Sequence, residues 1–196
     1  MIASWLRQAA DALDAGDAIV IPTDTIYGLA ARPDRGGAVA RIFEVKGRPA
    51  TKPLPILAPG LDALHDMVLV DDRVRRLAER FWPGPLTIVL PRAPDFTVDL
   101  GGARDTLGVR IPSCTIAMQL LAETGPLAVT SANPSGEPPA TTVEEARRAL
   151  GDSVPFYVDG GKREGLPSSV VSLAGGLELV REGAISLQAI RGVLEA

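Results

Sequence analysis

Glycine and proline punctuate this chain more heavily than any other feature of it. They number 20 and 17 among 196 residues, against an ordinary combined usage of roughly 12%. They follow no period, which excludes a collagen-like or repeat architecture. They divide the apolar sequence into short runs, so the chain must fold as many short elements joined by tight, conformationally fixed loops. Loops of that kind carry sites.

Hydrophobic spacing assigns the runs. Residues 4–15 repeat Leu6, Ala9, Ala10 and Leu13 at helical intervals, with Ser4 at the start and Gly16 at the stop. AIVIP at 18–22 reads as a buried strand followed by a polar turn at Thr23, Asp24 and Thr25. Helices are predicted at 36–46, 61–68, 72–81, 114–123 and 141–152, the last opened by a Thr142/Glu145 capping box. Strands are predicted at 54–58, 86–91, 106–112 and 127–131. PFYVD, SVVSL and LELVREG then read as three short strands before a helix in the last eleven residues. Early alternation and late clustering of strands predict an α/β domain, α+β-like, with a mixed sheet and flanking helices. No linker or low-complexity tract interrupts residues 1–196, which are expected to form one domain.

Composition then removes function classes. No uncharged apolar run reaches the roughly 18 residues of a membrane span, and the first residues lack a signal-peptide pattern; the expected compartment is the cytoplasm. One cysteine, Cys114, and one histidine, His65, exclude a disulfide framework and multi-Cys or multi-His metal sites. The formal net charge of −4 is not that of a general polyanion binder, so any anion chemistry must sit in a locally basic pocket. Neither a Walker A loop, a G-x-G-x-x-G turn nor a G-x-S-x-G elbow is present.

Four segments carry the remaining chemistry. IPTDTIYGLA at 21–30 sets hydroxyls and a carboxylate directly after a buried strand; they are either turn formers or the wall of a small polar site. VKGRPATKP at 45–53 places Lys46, Arg48 and Lys52 on a loop stiffened by Gly47, Pro49 and Pro53, with no acid between them. That is either a solvated basic patch or a phosphate clamp. In GVRIPS at 108–113, Arg110 shares a sheet face with neither Val109 nor Ile111, and points either to solvent or into a cleft, where its fork suits a carboxylate. LAVTSANPSGEPP at 127–139 runs a buried strand straight into Thr130, Ser131 and Asn133, where open α/β sheets gather ligands. The inventory is rich in cations, hydroxyls and an amide and poor in general bases. It fits electrostatic stabilisation of a phosphate-centred transition state.

In this order the four segments resemble the YrdC/TsaC family of L-threonylcarbamoyladenylate synthases. The family's K-x-R…S-x-N pattern appears as Lys46, Arg48, Ser131 and Asn133, beside PTDT-x-YGL, PGP-x-T, VRIP and TSAN-x-SG blocks. The resemblance implies a twisted mixed sheet around a basic central cavity. It implies condensation of L-threonine, bicarbonate and ATP to threonylcarbamoyl-AMP and pyrophosphate. Mg²⁺ would arrive with ATP and no metal ligand would come from the protein. A downstream transferase complex would carry the threonylcarbamoyl group to a tRNA adenosine beside the anticodon.

By the same resemblance, Lys46 and Arg48 are the catalytic cations. ATP would be bound by them with Lys52, Thr106, Ser131, Asn133 and Arg181, and threonine by Thr25, Arg110, Thr130, Ser168 and Ser169. The chain departs from the pattern at Glu182, where a proline is common, at Leu57, where some members carry histidine, and at Ser172, where an acid is common. It resembles the short form of the family. Two alternatives stay open: an RNA-binding or ribosome-maturation module on the same fold, and a paralogue that adenylates a different carbamate.

Overall fold

The computed structural model describes residues 3–163 and 165–195. Eight strands form one sheet: β1 (Ile19–Pro22), β2 (Tyr27–Ala31), β3 (Ile56–Leu57), β4 (Leu86–Pro91), β5 (Thr106–Arg110), β6 (Leu127–Ser131), β7 (Ser169–Ser172) and β8 (Glu178–Arg181). Their spatial order is β1-β2-β6-β3-β5-β4-β7-β8. Pairing is mixed: β3 runs parallel to β5 and β4 to β7, and the other neighbours are antiparallel. The mixed α/β sheet expected from sequence is the sheet found.

Six helices flank it: α1 (Ser4–Asp14), α2 (Ala38–Lys46), α3 (Asp72–Phe81), α4 (Thr115–Thr124), α5 (Val143–Leu150) and α6 (Leu187–Glu195). Their ends follow local chemistry. The Asp71 carboxylate accepts from Val74 N at 3.1 Å and caps α3. The capping box predicted for α5 is present, Thr142 accepting from Glu145 N and Glu145 reaching back to Thr142 N. Helix α2 closes on Gly47 at φ 58°, with Gly47 N donating to Glu44 O and Arg48 N to Phe43 O. This Schellman closure needs a left-handed residue, which glycine supplies without a Cβ clash. It leaves Lys46 on the last helical turn and turns Arg48 out of it.

Strand alternation divides the interior. One face of the sheet packs Leu29, Ile56, Ile88, Leu107, Val109, Ala128 and Val171 against α2, α3, α5 and α6 in the main core. The other face is covered only at its β1 end, where α1 and α4 close over Ile19, Ile21, Ala30, Leu127 and Val129. Beyond that cover the same face is open, and it carries Gly28, Thr87, Val89, Thr106, Gly108 and Arg110.

Several expectations from sequence change. The turn expected after β1 is present, but Tyr27–Ala31, not expected as a strand, pairs back on β1 from Pro22 opposite Tyr27. Thr23 closes the turn, its hydroxyl donating to Ile26 O at 2.7 Å and accepting from Thr25 N at 3.2 Å. PFYVD is no strand. It meets β1 at the bridge Val20–Tyr157, and the loop that follows is bound by the Tyr27 hydroxyl at Gly160 and Gly161. The predicted strand 54–58 contracts to Ile56–Leu57, since Pro53 and Pro55 lack the N–H a ladder needs. The helix at 61–68 is one 3₁₀ turn, Leu61–Leu64, because Val68 pairs with Arg92 instead. The terminal helix ends at Glu195, and Ala196 lies outside the described residues.

Candidate active site

The open half of the sheet face forms the floor of a cavity of about 440 Å³. Its lining includes three arginines, Arg48, Arg110 and Arg181, and no carboxylate among the described residues. Thr25, Thr106, Thr130, Ser131 and Ser168, singled out from sequence, line it as well. Lys46, Lys52, Asn133 and Ser169 do not.

At one end lies the loop that follows α2. Arg48 is half-buried and tied to its own loop, Nε donating to Lys52 O at 3.1 Å and Nη2 to Pro53 O at 3.0 Å. Lys52 contributes that carbonyl while its side chain is exposed. Lys46 is only 3% exposed and lies just behind the lining. Its Nζ donates to the carbonyls of Ser131 and Asn133, pinning the loop after β6. Burial, and then the nearby Arg48 charge, push the Lys46 ammonium down to about 8. Burial likewise lowers Arg48. Asn133 builds the same loop: Nδ2 donates to Pro134 O and Glu137 O, both at 2.7 Å, and its buried Oδ1 has no partner.

At the other end Arg110 emerges from the last residue of β5, opposite Leu57 of β3. The alternation argument placed it off the core face, and there it is found. Its Nε donates to Gly84 O at 2.9 Å and Nη1 to Thr25 Oγ1 at 3.3 Å. Nη2 lies 2.6 Å from Asp24 Oδ1, with side chains 6% and 14% exposed. Asp24 accordingly stands behind Arg110 as its counter-charge. Thr25 joins the same group through Thr23 Oγ1 at 3.0 Å.

A third polar chain crosses from β4 to β8. Thr87 Oγ1 and Ser168 Oγ share a hydrogen bond of 3.0 Å. Arg181 Nη2 donates to Ser168 Oγ at 3.0 Å and to Ser168 O at 2.8 Å. Burial lowers Arg181, and its repulsion with Arg110 adds to the effect. Of the two serines expected here, Ser168 faces the cavity. Ser169 faces away, its hydroxyl donating to Ile185 O at 2.6 Å and accepting from Ile185 N at 2.9 Å.

The sequence placed Asp24 in a segment read as either a turn or the wall of a small polar site, without pairing it with Arg110, and singled out neither Thr87 nor Tyr27. Thr87 was detectable as the one polar residue in LTIVLP. Tyr27 is fully buried. Its hydroxyl donates to Gly161 O at 2.8 Å and accepts from Gly160 N at 3.0 Å, which holds the loop leading to Pro167 and Ser168. His65 is an exposed side chain beside Asp66, and Cys114 is a small buried residue at the start of α4. Among the described residues there is no group of three His, Cys, Asp or Glu side chains placed to hold a metal, and no helix is long and apolar enough to cross a membrane.

The chain is similar to known proteins over most of its length. The Sua5/YciO/YrdC family model, described as "Telomere recombination", matches residues 11–183. A Mycobacterium tuberculosis relative is 40% identical across 95% of this chain and 87% of its own. The threonylcarbamoyl-AMP synthase of Pyrococcus abyssi is 37% identical over 98% of this chain and 58% of its own. The structure of Pyrococcus abyssi Sua5 complexed with L-threonine superimposes with a TM-score of 0.91 at 37% identity, covering 96% of this chain and 57% of that one. This chain thus spans just over half the length of the archaeal proteins and most of the mycobacterial one.

Proposed function

This chain belongs to the Sua5/YciO/YrdC family, and on that premise we propose that it is a threonylcarbamoyl-AMP synthase whose two groups of cations divide one cavity between ATP and L-threonine. The single observation that carries the reading is this division. Lys46 and Arg48 lie together at one end, and Arg110, backed by Asp24, lies at the other.

At the phosphate end, Arg48 with Thr106 and Ser131 would meet the triphosphate, and Lys46 would supply charge from directly behind Ser131. Asn133 acts there by shaping the loop, and Lys52 by fixing Arg48 through its carbonyl. At the amino-acid end the Arg110 fork suits the threonine carboxylate, with Thr25, Thr130 and Ser168 around it. Bicarbonate supplies the carbon of the threonylcarbamoyl group. A carbamate oxygen attacks the α-phosphorus, the new P–O bond forms, and the bond to pyrophosphate breaks with its electron pair leaving on pyrophosphate. Negative charge grows on that leaving group, where fixed cations stabilise it without reorganisation. Holding both reactants in one cavity supplies the entropic part of the rate. Mg²⁺ would arrive with the substrate as Mg-ATP, bridging phosphates without a dedicated protein cage. The product would pass to a transferase complex acting on tRNA.

The test is pyrophosphate release from ATP with L-threonine and bicarbonate added singly and together, with mass spectrometry of the product. Release that needs both, with a threonylcarbamoyl-adenylate mass, is expected. Release independent of threonine, or equal release with serine or proline, would overturn the substrate assignment.

A further inference from the structure

The loop that presents Arg48 is exposed from Pro49 to Pro53, and little of the fold holds it. Among the described residues, the backbone hydrogen bonds that leave residues 49–54 go to one segment. Gly102 N donates to Ala50 O and Leu54 N to Leu100 O, both at 2.8 Å. The Lys52 and Pro53 carbonyls, which accept from Arg48, lie between these two anchors. The segment is itself fixed from its far side. Leu100 is buried in the main core, and Asp99 Oδ1 accepts from Gly101 N at 3.0 Å. Arg92, directly after β4, donates Nη1 to Val98 O at 2.7 Å.

Two glycines let the segment come this close. Gly101 and Gly102 have φ 76° and 64°, in the left-handed region. A Cβ on Gly101 would lie 2.6 Å from Ala50 O and 2.8 Å from Phe43 Cζ of α2, and one on Gly102 2.7 Å from Pro53 Cδ. At the Gly-Gly pairs 36–37 and 175–176 the same added atom meets nothing within 4 Å. Those pairs leave room for a side chain, whereas this one abuts the cation loop. Neither Leu100, Gly101 nor Gly102 lines the cavity.

Resting on the phosphate role read above for Arg48, we infer that the turn Asp99–Gly102 is the positioning element that aims Arg48. It touches no substrate. It fixes the two carbonyls that set the guanidinium plane, and Arg48 Nη1 is left without a partner among the described residues. A donor held in this way meets developing charge without reorganising. Lys46 is placed by other elements, α2 and the loop after β6, so the turn acts on one of the two cations alone.

The experiment is calorimetry of Mg-ATP binding to the whole chain without threonine, beside L-threonine binding without ATP and melting temperatures. Arg48→Ala should weaken ATP by about 30-fold, the lower end for removing one partner of a hydrogen-bonded charge pair. Gly101→Ala must displace the backbone of Ala50, and should weaken ATP about tenfold while threonine affinity stays within about twofold. The two together should bind ATP no worse than Arg48→Ala alone, since a residue acting through Arg48 then has nothing to act on. A merely structural role would multiply the two losses instead. Asp99→Ala removes only the acceptor of Gly101 N and should cost about fivefold. Asp99→Asn keeps an acceptor oxygen and should restore the affinity; this pair replaces Gly101→Ala if that variant does not fold. Unchanged ATP affinity in folded Gly101→Ala, or in Asp99→Ala where it stands in, overturns this inference alone. So do losses that multiply with that of Arg48→Ala. Undiminished ATP affinity in Arg48→Ala overturns the phosphate role of Arg48, and this inference with it.

Discussion

Lys46 and Arg110 are both buried cations, and the fold treats their charges in opposite ways. Arg110 has a carboxylate at 2.6 Å, a backbone carbonyl on Nε and a threonine hydroxyl on Nη1. Its charge is compensated and its plane is fixed. Lys46 has two backbone carbonyls and makes no ion pair among the described residues, and its ammonium is pushed down to about 8. The C-terminal end of α2 offers it the negative pole of a helix dipole, worth at most about 2 kcal/mol. A compensated cation orients a small carboxylate without holding it too tightly. An uncompensated one stays at a cost until a polyanion arrives, and favours the ligand with the most negative charge.

The comparison breaks most decisively at the uncompensated end. Arg48→Ala should lower the rate of pyrophosphate release by about 10³-fold, the scale of losing one preorganised donor at a developing charge, with little change in melting temperature. Lys46→Ala should match it in rate and also lose stability, because the Ser131 and Asn133 carbonyls lose their donor. Near-normal release from both would remove the phosphate role. At the compensated end, Arg110→Ala should cost about 2–5 kcal/mol of threonine binding and leave ATP affinity unchanged. Loss of ATP affinity with threonine binding intact would exchange the two ends.

A subtler variant separates charge from position. Asp24→Asn removes the counter-charge of Arg110 and keeps its shape. If Asp24 chiefly orients the guanidinium, threonine binding weakens by about tenfold, or roughly 1.4 kcal/mol. This is the expected result, because Nη2 has no other partner to fix it. Tighter binding would show that the liberated charge outweighs the lost orientation and that Arg110 had become a second Lys46.

Much of this site was legible in the sequence because its signals were local. The face of Arg110 followed from strand alternation, and the turn of Arg48 out of α2 from Gly47. What escaped depended on partners far along the chain. Asp24 gains its meaning only from Arg110, and nothing around it in the sequence announces that pair. Strand β2 was missed because Tyr27–Ala31 is small-residue rich. Its Gly28 is required by tertiary packing, since a Cβ there would lie 2.7 Å from Val129 Cγ1 on β6. The two serines of PSSVV could be separated only by register. Leu86 pairs with Ser169 and the cavity residue Thr87 with Val170, which sends Ser169 to the opposite face.

The smallest expected effect is also the most specific to an uncompensated lysine. The free-enzyme profile of kcat/KM for ATP reports groups ionising in the unliganded protein. With Lys46 at about 8, that parameter should fall as pH rises through about 8, by about tenfold per unit above it. Stability should move the other way. The folded-state value lies below the ordinary 10.5, so between about 8 and 10.5 the unfolded chain binds more protons than the folded one. The unfolding free energy contributed by this group therefore rises with pH across that window. Lys46→Arg keeps its charge there and should flatten both trends, which subtracts every other group titrating in the same range. Calorimetry near pH 8.5 should also show a proton taken up from buffer as ATP binds, because the triphosphate restores the charge that burial opposes. An ATP profile flat to pH 10 in the wild type would mean that Lys46 is compensated in the free protein after all, and that the two ends of the cavity are built alike.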